Sequence, residues 1–217
     1  MSLQKRLDTL KQEFSSNVPA EKLAVMNQET EKLIASDVLA KAIKVGQTVP
    51  DARLTAINGE SVTIDQLIDS KPLVISFYRG GWCPYCVLEL KELEAVSAEI
   101  RDLGANIIAM TPESVSSIKQ TKQKAGISFD VFSDDGSGFA KELGLVFTLP
   151  KLLQDIYLTF DIDVEKHNGE SKFELPIPTT LIVKPNREVV YVFADGDYTK
   201  RSEPNTLLDI LRSLGPE

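Results

Sequence analysis

Apolar residues at helical spacing dominate the first part of the chain. Before Pro19 they recur three or four positions apart, at Leu3, Leu7, Leu10 and Phe14, and after it the helical pattern continues through Leu23, Met26, Glu29-Thr30 and Leu33-Ile34. This spacing predicts two amphipathic helices that pack on the rest of the protein or on a second copy of the chain. The stretch 45–51, which contains a glycine and a proline, ends the pattern. We therefore predict an N-terminal helical extension over residues 1–43 and a main domain over residues 44–217.

Beyond residue 44, short strand-like runs alternate with helical patterns. The nearly continuous apolar run 73–78 is typical of a strand buried on both faces of a sheet. The predicted order is a short hairpin and helical turn at 61–68, strand 73–78, a helix ending before Gly104, strand 106–110, helix 114–125, strand 129–132, helix 138–143, hairpin 179–193 and helix 206–214. Residues 146–173 lack a clear period, and we expect a helix and loops there. The alternation favours an α/β fold with a partly parallel sheet.

The composition is typical of one well-packed, soluble domain. The chain has 217 residues, and 42% of them are hydrophobic, which is enough for one core. Lysine and arginine total 24 against 32 acidic residues, a formal net charge of −8, so we expect no nucleic acid partner and no anionic membrane surface. No stretch has the length and apolarity of a membrane span, and the first residues lack the apolar run of a signal peptide. We therefore expect a cytoplasmic protein.

The two cysteines, Cys83 and Cys86, are separated by two residues. In a reducing compartment such a pair is more often redox-active or metal-binding than structural. A structural zinc site needs two further soft ligands, but the chain has no other cysteine and only one histidine, His167. His167 lies in the polar stretch 165–170, which predicts a solvated loop. We therefore expect a redox role for the cysteines, with no metal and no cofactor.

The position of the cysteines predicts that they are reactive. Cys83 follows a buried strand and precedes a helix, where unpaired N–H groups and the helix dipole stabilise a thiolate. Cys86 faces the same side one turn later, within reach of a disulfide. Pro84 suits the first helical turn, and the pair Gly80-Gly81 permits positive φ or close approach by a substrate. The competing interpretation is two inert cysteines that happen to be neighbours on a helix.

Two neighbours of the cysteines are candidates for supporting the site. Trp82 either shields the thiolate from water or is a core residue with no chemical role. Arg79 either pairs with the thiolate or a bound peroxide, or is a surface charge. The residue types alone leave both questions open.

The motifs that carry a resemblance are Phe77–Cys86, Val45–Asp51 with Gly59 and Leu67 following, and Leu175–Thr179. Over about residues 44–215 they make the chain resemble the thioredoxin superfamily, and within it the peroxiredoxin-like proteins of the alkyl hydroperoxide reductase and thiol-specific antioxidant family. The resemblance implies a thioredoxin-like fold with a central mixed β-sheet flanked by helices. It also implies that Pro178 lies beside the sulfur atoms, with a cis bond between Ile177 and Pro178.

Two positions depart from the peroxiredoxin pattern. That pattern has a threonine three residues before its attacking cysteine. When the two sequences are aligned, Cys83 stands at the position of the threonine and Cys86 at the position of the attacking cysteine. The thioredoxin register assigns attack to Cys83 and resolution to Cys86. The peroxiredoxin pattern also has an arginine just before the strand 181–183, where this sequence has Pro178, and Arg79 is a possible substitute. The sequence leaves open which cysteine attacks.

Three functions remain open. In a thiol peroxidase, a thiolate attacks a hydroperoxide, the sulfenic acid condenses with the other cysteine, and a thioredoxin- or glutathione-type thiol reduces the disulfide. The second function is a thiol–disulfide oxidoreductase that acts on protein disulfides without peroxidase activity. The third is a redox-responsive binding protein whose N-terminal helices change partners; the same helices make a homodimer possible. The stretch 195–204 resembles one in the peroxiredoxin-like group. Its Tyr198 and Arg201 either reach the site or are solvated loop residues, and we favour the solvated loop.

Overall fold

The computed structural model describes residues 1–169 and 172–215. Its helices are α1 (Leu3–Asn17), α2 (Ala20–Ala35), α3 (Ile64–Ile68), α4 (Pro84–Asp102), α5 (Val115–Ala125), α6 (Gly138–Glu142), α7 (Lys151–Leu158), α8 (Val164–Asn168) and α9 (Pro204–Leu214). Its strands are β1 (Arg53–Ala56), β2 (Ser61–Thr63), β3 (Leu73–Phe77), β4 (Asn106–Thr111), β5 (Asp130–Ser133), β6 (Val146–Thr148), β7 (Glu174–Pro176), β8 (Thr179–Val183) and β9 (Val189–Ala194). Outside residues 146–173, the predicted elements are confirmed with small shifts at their ends, except that the hairpin predicted near residue 61 already begins at β1.

Seven of the strands form one mixed sheet in the order β2-β1-β5-β4-β3-β8-β9. β4 pairs in parallel with β3 and with β5. Parallel neighbours need a crossover connection, and α4 and α5 provide the two crossovers. The remaining pairs, β1 with β2 and β5 and β8 with β3 and β9, are antiparallel. The predicted α/β fold with a mixed central sheet is therefore confirmed.

Strand β3 lies inside the sheet and is buried at all five positions. Val74 packs in a core cluster with side chains of α4 and α9. Leu73, Ile75 and Phe77 pack in a second cluster, because side chains alternate between the two faces of a strand. Burial on both faces explains the nearly continuous apolar run, and it fixes the position of the residues that follow β3.

The two predicted N-terminal helices are present and pack on the rest of the same chain. Leu3 and Leu7 of α1 are fully buried in the cluster that contains α4 and α9. The Glu203 carboxylate accepts hydrogen bonds from the backbone N–H groups of Leu3 (2.9 Å) and Gln4 (2.8 Å), which stabilises the start of α1. The boundary between residues 43 and 44 stays a prediction. None of the described helices combines the length and apolarity that a membrane crossing needs.

Residues 146–173 hold more regular structure than the sequence indicates. β6 pairs with β7 in a separate two-stranded sheet, and α7 and α8 lie between them. The prediction of a helix and loops was incomplete because it missed the strand β6. Three residues are too few to show an alternating pattern, and the partner strand β7 is distant in sequence. His167 lies in α8, so the loop predicted for it was wrong. Glu170, the last residue of its polar stretch, and the last two residues of the predicted domain lie outside the described residues.

Candidate active site

The candidate site lies where β3 ends and α4 begins. Cys83 is the N-cap residue of α4, and Pro84 is the first residue of the helix. The backbone N–H of Cys83 donates to the Gly80 carbonyl oxygen at 3.1 Å, which closes a tight turn after β3. Cys83 therefore lies at the positive end of the dipole of a 19-residue helix.

The sulfur atoms of Cys83 and Cys86 lie next to each other. Both residues are free thiols and fully buried. The sulfur atoms are 2.9 Å apart, and the Cys86 thiol donates to Cys83 Sγ. A donated hydrogen bond stabilises the thiolate form of the acceptor. The geometry favours an ionised Cys83 beside a protonated Cys86, with the sulfurs about 1 Å from the separation of a disulfide.

The Arg79 guanidinium lies against Cys83. Its Nη2 donates to Cys83 Sγ at 3.2 Å, and its Nη1 donates to the Tyr157 hydroxyl at 3.1 Å. It also packs over the ring of Tyr198, 4.1 Å from the centroid, and that of Trp82, at 5.1 Å. The residue is only 3% exposed, which excludes the interpretation of Arg79 as a surface charge.

A second arginine, Arg201, lies against Cys86. Its Nη2 donates to Cys86 Sγ at 3.2 Å, and its Nε donates to the Glu89 carboxylate at 2.5 Å. Its Nη1 donates to the carbonyl oxygens of Tyr198 and Lys200, both at 2.6 Å. The interpretation of Arg201 as a solvated loop residue was therefore wrong, because the side chain is 4% exposed. Tyr198 is half-buried against Arg79 and is also part of the site.

The two cysteines have opposite pKa shifts. Burial by itself raises the pKa of Cys83, but the hydrogen bond from Cys86 and the charges of Arg79 and Arg201 outweigh burial and hold the pKa well below its usual value. Burial raises the pKa of Cys86, and the hydrogen bond to Cys83 and the charge of Cys83 raise it further. Cys83 is therefore the stronger candidate for the thiolate.

A small apolar cavity reaches Cys83. Its volume is about 70 Å³, which exceeds the roughly 10–15 Å³ that one enclosed water needs. The cavity is lined by Cys83 together with Phe14, Met26, Arg79, Trp82, Pro84, Tyr85, Tyr157, Phe160, Ile162 and Tyr198. Side chains of both N-terminal helices thus form part of its wall. A molecule of few atoms fits beside the Cys83 sulfur.

Trp82 lines this cavity, and the two glycines before it pack closely against neighbouring side chains. The half-buried Trp82 ring packs against Tyr157, with 5.5 Å between the centroids. A Cβ on Gly80, where φ is +156°, would lie 2.2 Å from Trp82 Nε1, and a Cβ on Gly81 would lie 1.9 Å from Thr121 Oγ1. The sequence predicted either positive φ or close approach by a substrate for this pair. Gly80 has the positive φ, and both glycines allow close packing of this chain's own side chains.

Pro178 differs from its expected conformation. It is buried directly before β8, whose Thr179 pairs with Phe77 at the end of β3. The described peptide bonds are all trans, so the cis bond expected between Ile177 and Pro178 was wrong. The polar partners of the sulfur atoms come from Arg79, Arg201 and the other cysteine. A role for Pro178 beside the sulfurs stays a prediction.

His167 faces a buried carboxylate rather than the cysteines. Its Nδ1 lies 3.5 Å from Glu113 Oε1, and the hydroxyls of Tyr78 and Thr121 donate to Glu113 Oε2 at 3.3 and 3.1 Å. Within residues 1–169 and 172–215, no cluster of three or more His, Cys, Asp or Glu side chains is arranged to hold a metal ion.

Comparison with known proteins identifies the family of this chain. The model of the AhpC/TSA family matches residues 45–192, more than half of the chain. A putative chloroplastic peroxiredoxin Q of Oryza sativa subsp. indica is 25% identical over 62% of this chain and 67% of its own length. The thiol-disulfide oxidoreductase ResA of Halalkalibacterium halodurans is 22% identical over 70% of each chain.

A comparison of folds agrees. The crystal structure of peroxidoxin BcpB from Mycobacterium tuberculosis superposes with a TM-score of 0.63 at 18% identity, covering 80% of this chain and 99% of that one. The chain belongs to the AhpC/TSA family and is a peroxiredoxin-like thiol redox enzyme of the thioredoxin superfamily.

Proposed function

We propose that the protein is a thiol peroxidase that reduces hydroperoxides through a dithiol–disulfide cycle of Cys83 and Cys86, with Cys83 as the attacking nucleophile. The observation that carries the proposal is the environment of Cys83. Its sulfur accepts hydrogen bonds from Arg79 and from the Cys86 thiol, and it borders the small apolar cavity. Peroxide reduction needs a thiolate, a cationic hydrogen-bond donor beside it and space for a small molecule.

In the first step, the Cys83 thiolate attacks one oxygen of the hydroperoxide. An S–O bond forms and the O–O bond breaks, so the sulfur is oxidised by two electrons to a sulfenic acid and the peroxide is reduced. The leaving alkoxide takes up a proton and departs as an alcohol, or as water when the substrate is hydrogen peroxide. Arg79 stabilises the thiolate before attack, and its positive charge beside the reacting sulfur favours the negative charge that develops on the leaving oxygen.

In the second step, Cys86 attacks the Cys83 sulfur as a thiolate. An S–S bond forms, the S–O bond breaks, and the hydroxide that leaves is protonated to water. A thioredoxin- or glutathione-type thiol then reduces the disulfide and returns both cysteines to thiols. The sulfur atoms, 2.9 Å apart in the reduced protein, are already close enough for this condensation with little rearrangement.

The alternative is a thiol–disulfide oxidoreductase that acts on protein disulfides. It is favoured by the thioredoxin-like spacing of the cysteines and by the similarity to ResA. The environment of the sulfurs opposes it, because a disulfide in a protein substrate has to reach an attacking sulfur. Both sulfurs are fully buried, and side chains of α1 and α2 stand in the wall of the cavity. We therefore place peroxide reduction first.

The setting of the enzyme is also part of the proposal. A reducing compartment such as the cytoplasm keeps both cysteines available as thiols between cycles. A homodimer stays a proposal as well, and light scattering of the purified protein measures it directly.

Stopped-flow peroxide consumption tests the function. Reduced wild-type protein, Cys83→Ser and Cys86→Ser are mixed with hydrogen peroxide and with an organic hydroperoxide, and a sulfenic acid trap is located by mass spectrometry. We expect rapid reaction of wild type, a trapped sulfenic acid on Cys83 of Cys86→Ser, and a loss of at least about 1000-fold in Cys83→Ser. A wild-type rate no faster than that of a free thiol, with insulin disulfides still reduced, would establish the oxidoreductase instead.

A further inference from the structure

We propose that Arg201 is a positioning residue for the second step: it holds Cys86 ready to attack and favours its ionisation once Cys83 has become a sulfenic acid. This inference rests on the proposed peroxidase function and assigns one arginine to each cysteine. Arg79 lies against Cys83 and Arg201 lies against Cys86, each with Nη2 3.2 Å from the sulfur.

Arg201 is held by the protein on every side. Its Nε is bound to Glu89, its Nη1 is bound to two backbone carbonyls, and its Nη2 is left for Cys86. Glu89 is itself fixed by the Thr180 hydroxyl, which donates to its other oxygen at 3.3 Å. A guanidinium whose other donors are all bound presents the remaining N–H groups in one fixed direction.

Before oxidation, the charge of Cys83 keeps Cys86 protonated. A second thiolate 2.9 Å from the first would add a like charge at very short range, which is strongly unfavourable in a buried site. The Cys86 thiol therefore serves as a hydrogen-bond donor to Cys83, and Arg201 faces a neutral sulfur.

Oxidation of Cys83 removes that obstacle. The sulfenic acid is neutral, so the repulsion against a Cys86 thiolate disappears while Arg201 remains. The Cys86 proton is then free to pass to the alkoxide released in the first step or to the hydroxide released in the second. Cys86 attacks as a thiolate, the S–S bond forms and the S–O bond breaks. The order of events follows from which sulfur carries charge.

The experiment separates the two steps in one stopped-flow trace. Trp82 is the single tryptophan and borders the same cavity as Cys83. We expect its fluorescence to report a first phase that depends on peroxide concentration and a second phase that does not. The variants are the double change Glu89→Gln with Arg201→Gln, which removes both buried charges together, and the single change Arg201→Lys. Arg212→Gln, at an exposed ion pair with Glu99, is the matched control.

We expect the double variant to lose about 10- to 100-fold in the second phase, the size of a hydrogen bond to a charged group. Because Arg201 also lowers the pKa of Cys83, the rate of the first phase falls too, but by a smaller factor than that of the second. Sulfenic and sulfinic acid should accumulate on Cys83 by mass spectrometry. Arg201→Lys keeps the positive charge but loses the several fixed N–H donors of the guanidinium, and it should retain part of the second-phase rate. Arg212→Gln should behave as wild type.

Equal slowing of both phases, or an unchanged second phase, would overturn the role of Arg201 while leaving the peroxidase intact. A wild-type protein with no first phase would overturn the proposed function and this inference together. If the double variant does not fold, Arg201→Lys alone decides: a second phase slowed more than the first supports the inference, and parallel phases oppose it.

Discussion

The two arginines of the site carry the same charge but have different surroundings. Arg79 is held by the Tyr157 hydroxyl and by the faces of two aromatic rings, and its Nε has no hydrogen-bond partner among the described residues. Arg201 is held by the Glu89 carboxylate and two carbonyl oxygens. Aromatic faces attract a cation without neutralising it, whereas a carboxylate cancels much of its charge.

This difference explains how one small site holds two sulfurs in different states. The charge of Arg79 remains available to Cys83, where a thiolate is needed first. The charge of Arg201 is partly compensated by Glu89, so Arg201 adds a fixed hydrogen-bond direction to Cys86 as well as charge. Burial of both arginines strengthens each contact, because the local dielectric constant is low.

The largest effect should come from removing the counter-charge of Arg201. Glu89→Gln leaves a fully buried cation without its carboxylate, and we expect about 3–5 kcal/mol less stability. Urea unfolding of the reduced protein measures the change. The control, Glu99→Gln, breaks an exposed pair with Arg212 and should cost under about 1 kcal/mol. A loss from Glu89→Gln as small as that of the control would mean that Arg201 is not neutralised by Glu89.

The next effect concerns the charge of Arg79, which no carboxylate among the described residues compensates. Arg79→Gln removes one of the two cations that lower the pKa of Cys83, and we expect the rate of peroxide reduction at pH 7 to fall about 100-fold. Wild type should react at a nearly constant rate above the lowered pKa of Cys83, because the thiolate is already formed. The variant's rate should rise with pH over a higher range than that of wild type, because its Cys83 thiol ionises at a higher pH without Arg79.

Stopped-flow rates at several pH values test both parts, with Arg101→Gln at the exposed end of α4 as the control. A variant with the flat profile of wild type would show that Arg79 does not set the pKa of Cys83.

The smallest effect refines the role of the aromatic contacts. Tyr157→Phe removes the hydroxyl that accepts from Arg79 Nη1 but keeps the ring, and we expect the first step to slow about three- to tenfold. Tyr191→Phe, whose hydroxyl bonds Ser202 and not an arginine, should leave the rate unchanged. Equal rates in both variants would mean that the rings alone position Arg79.

The parts of the site that are local in sequence could be predicted. The run of β3, the cysteines at the start of α4 and Pro84 at its first position lie within a few residues of one another, so strand and helix rules identify them. Arg79 and Trp82 were candidates for the same reason.

The parts that depend on tertiary structure were not predicted. Arg201 lies 115 residues from Cys86, and Tyr157 lies 78 residues from Arg79, so only the fold brings them together. The polar stretch 195–204 has the composition of a solvated loop, yet the Glu89 carboxylate on α4 draws Arg201 into the interior. The strands β6 and β7 were missed because they are defined by hydrogen bonding to each other and show no alternating hydrophobic pattern in the sequence.

The most direct test of the account is the order in which the two thiols react. Reduced wild-type protein is treated with limiting iodoacetamide across a range of pH values, and the modified cysteine is identified by peptide mapping. The account predicts that Cys83 is modified first, with a reaction that persists well below the usual pKa of a thiol, and that Cys86 stays protected. Modification of Cys86 first, or of both cysteines together only near the ordinary thiol pKa, would contradict the assignment of Cys83 as the thiolate.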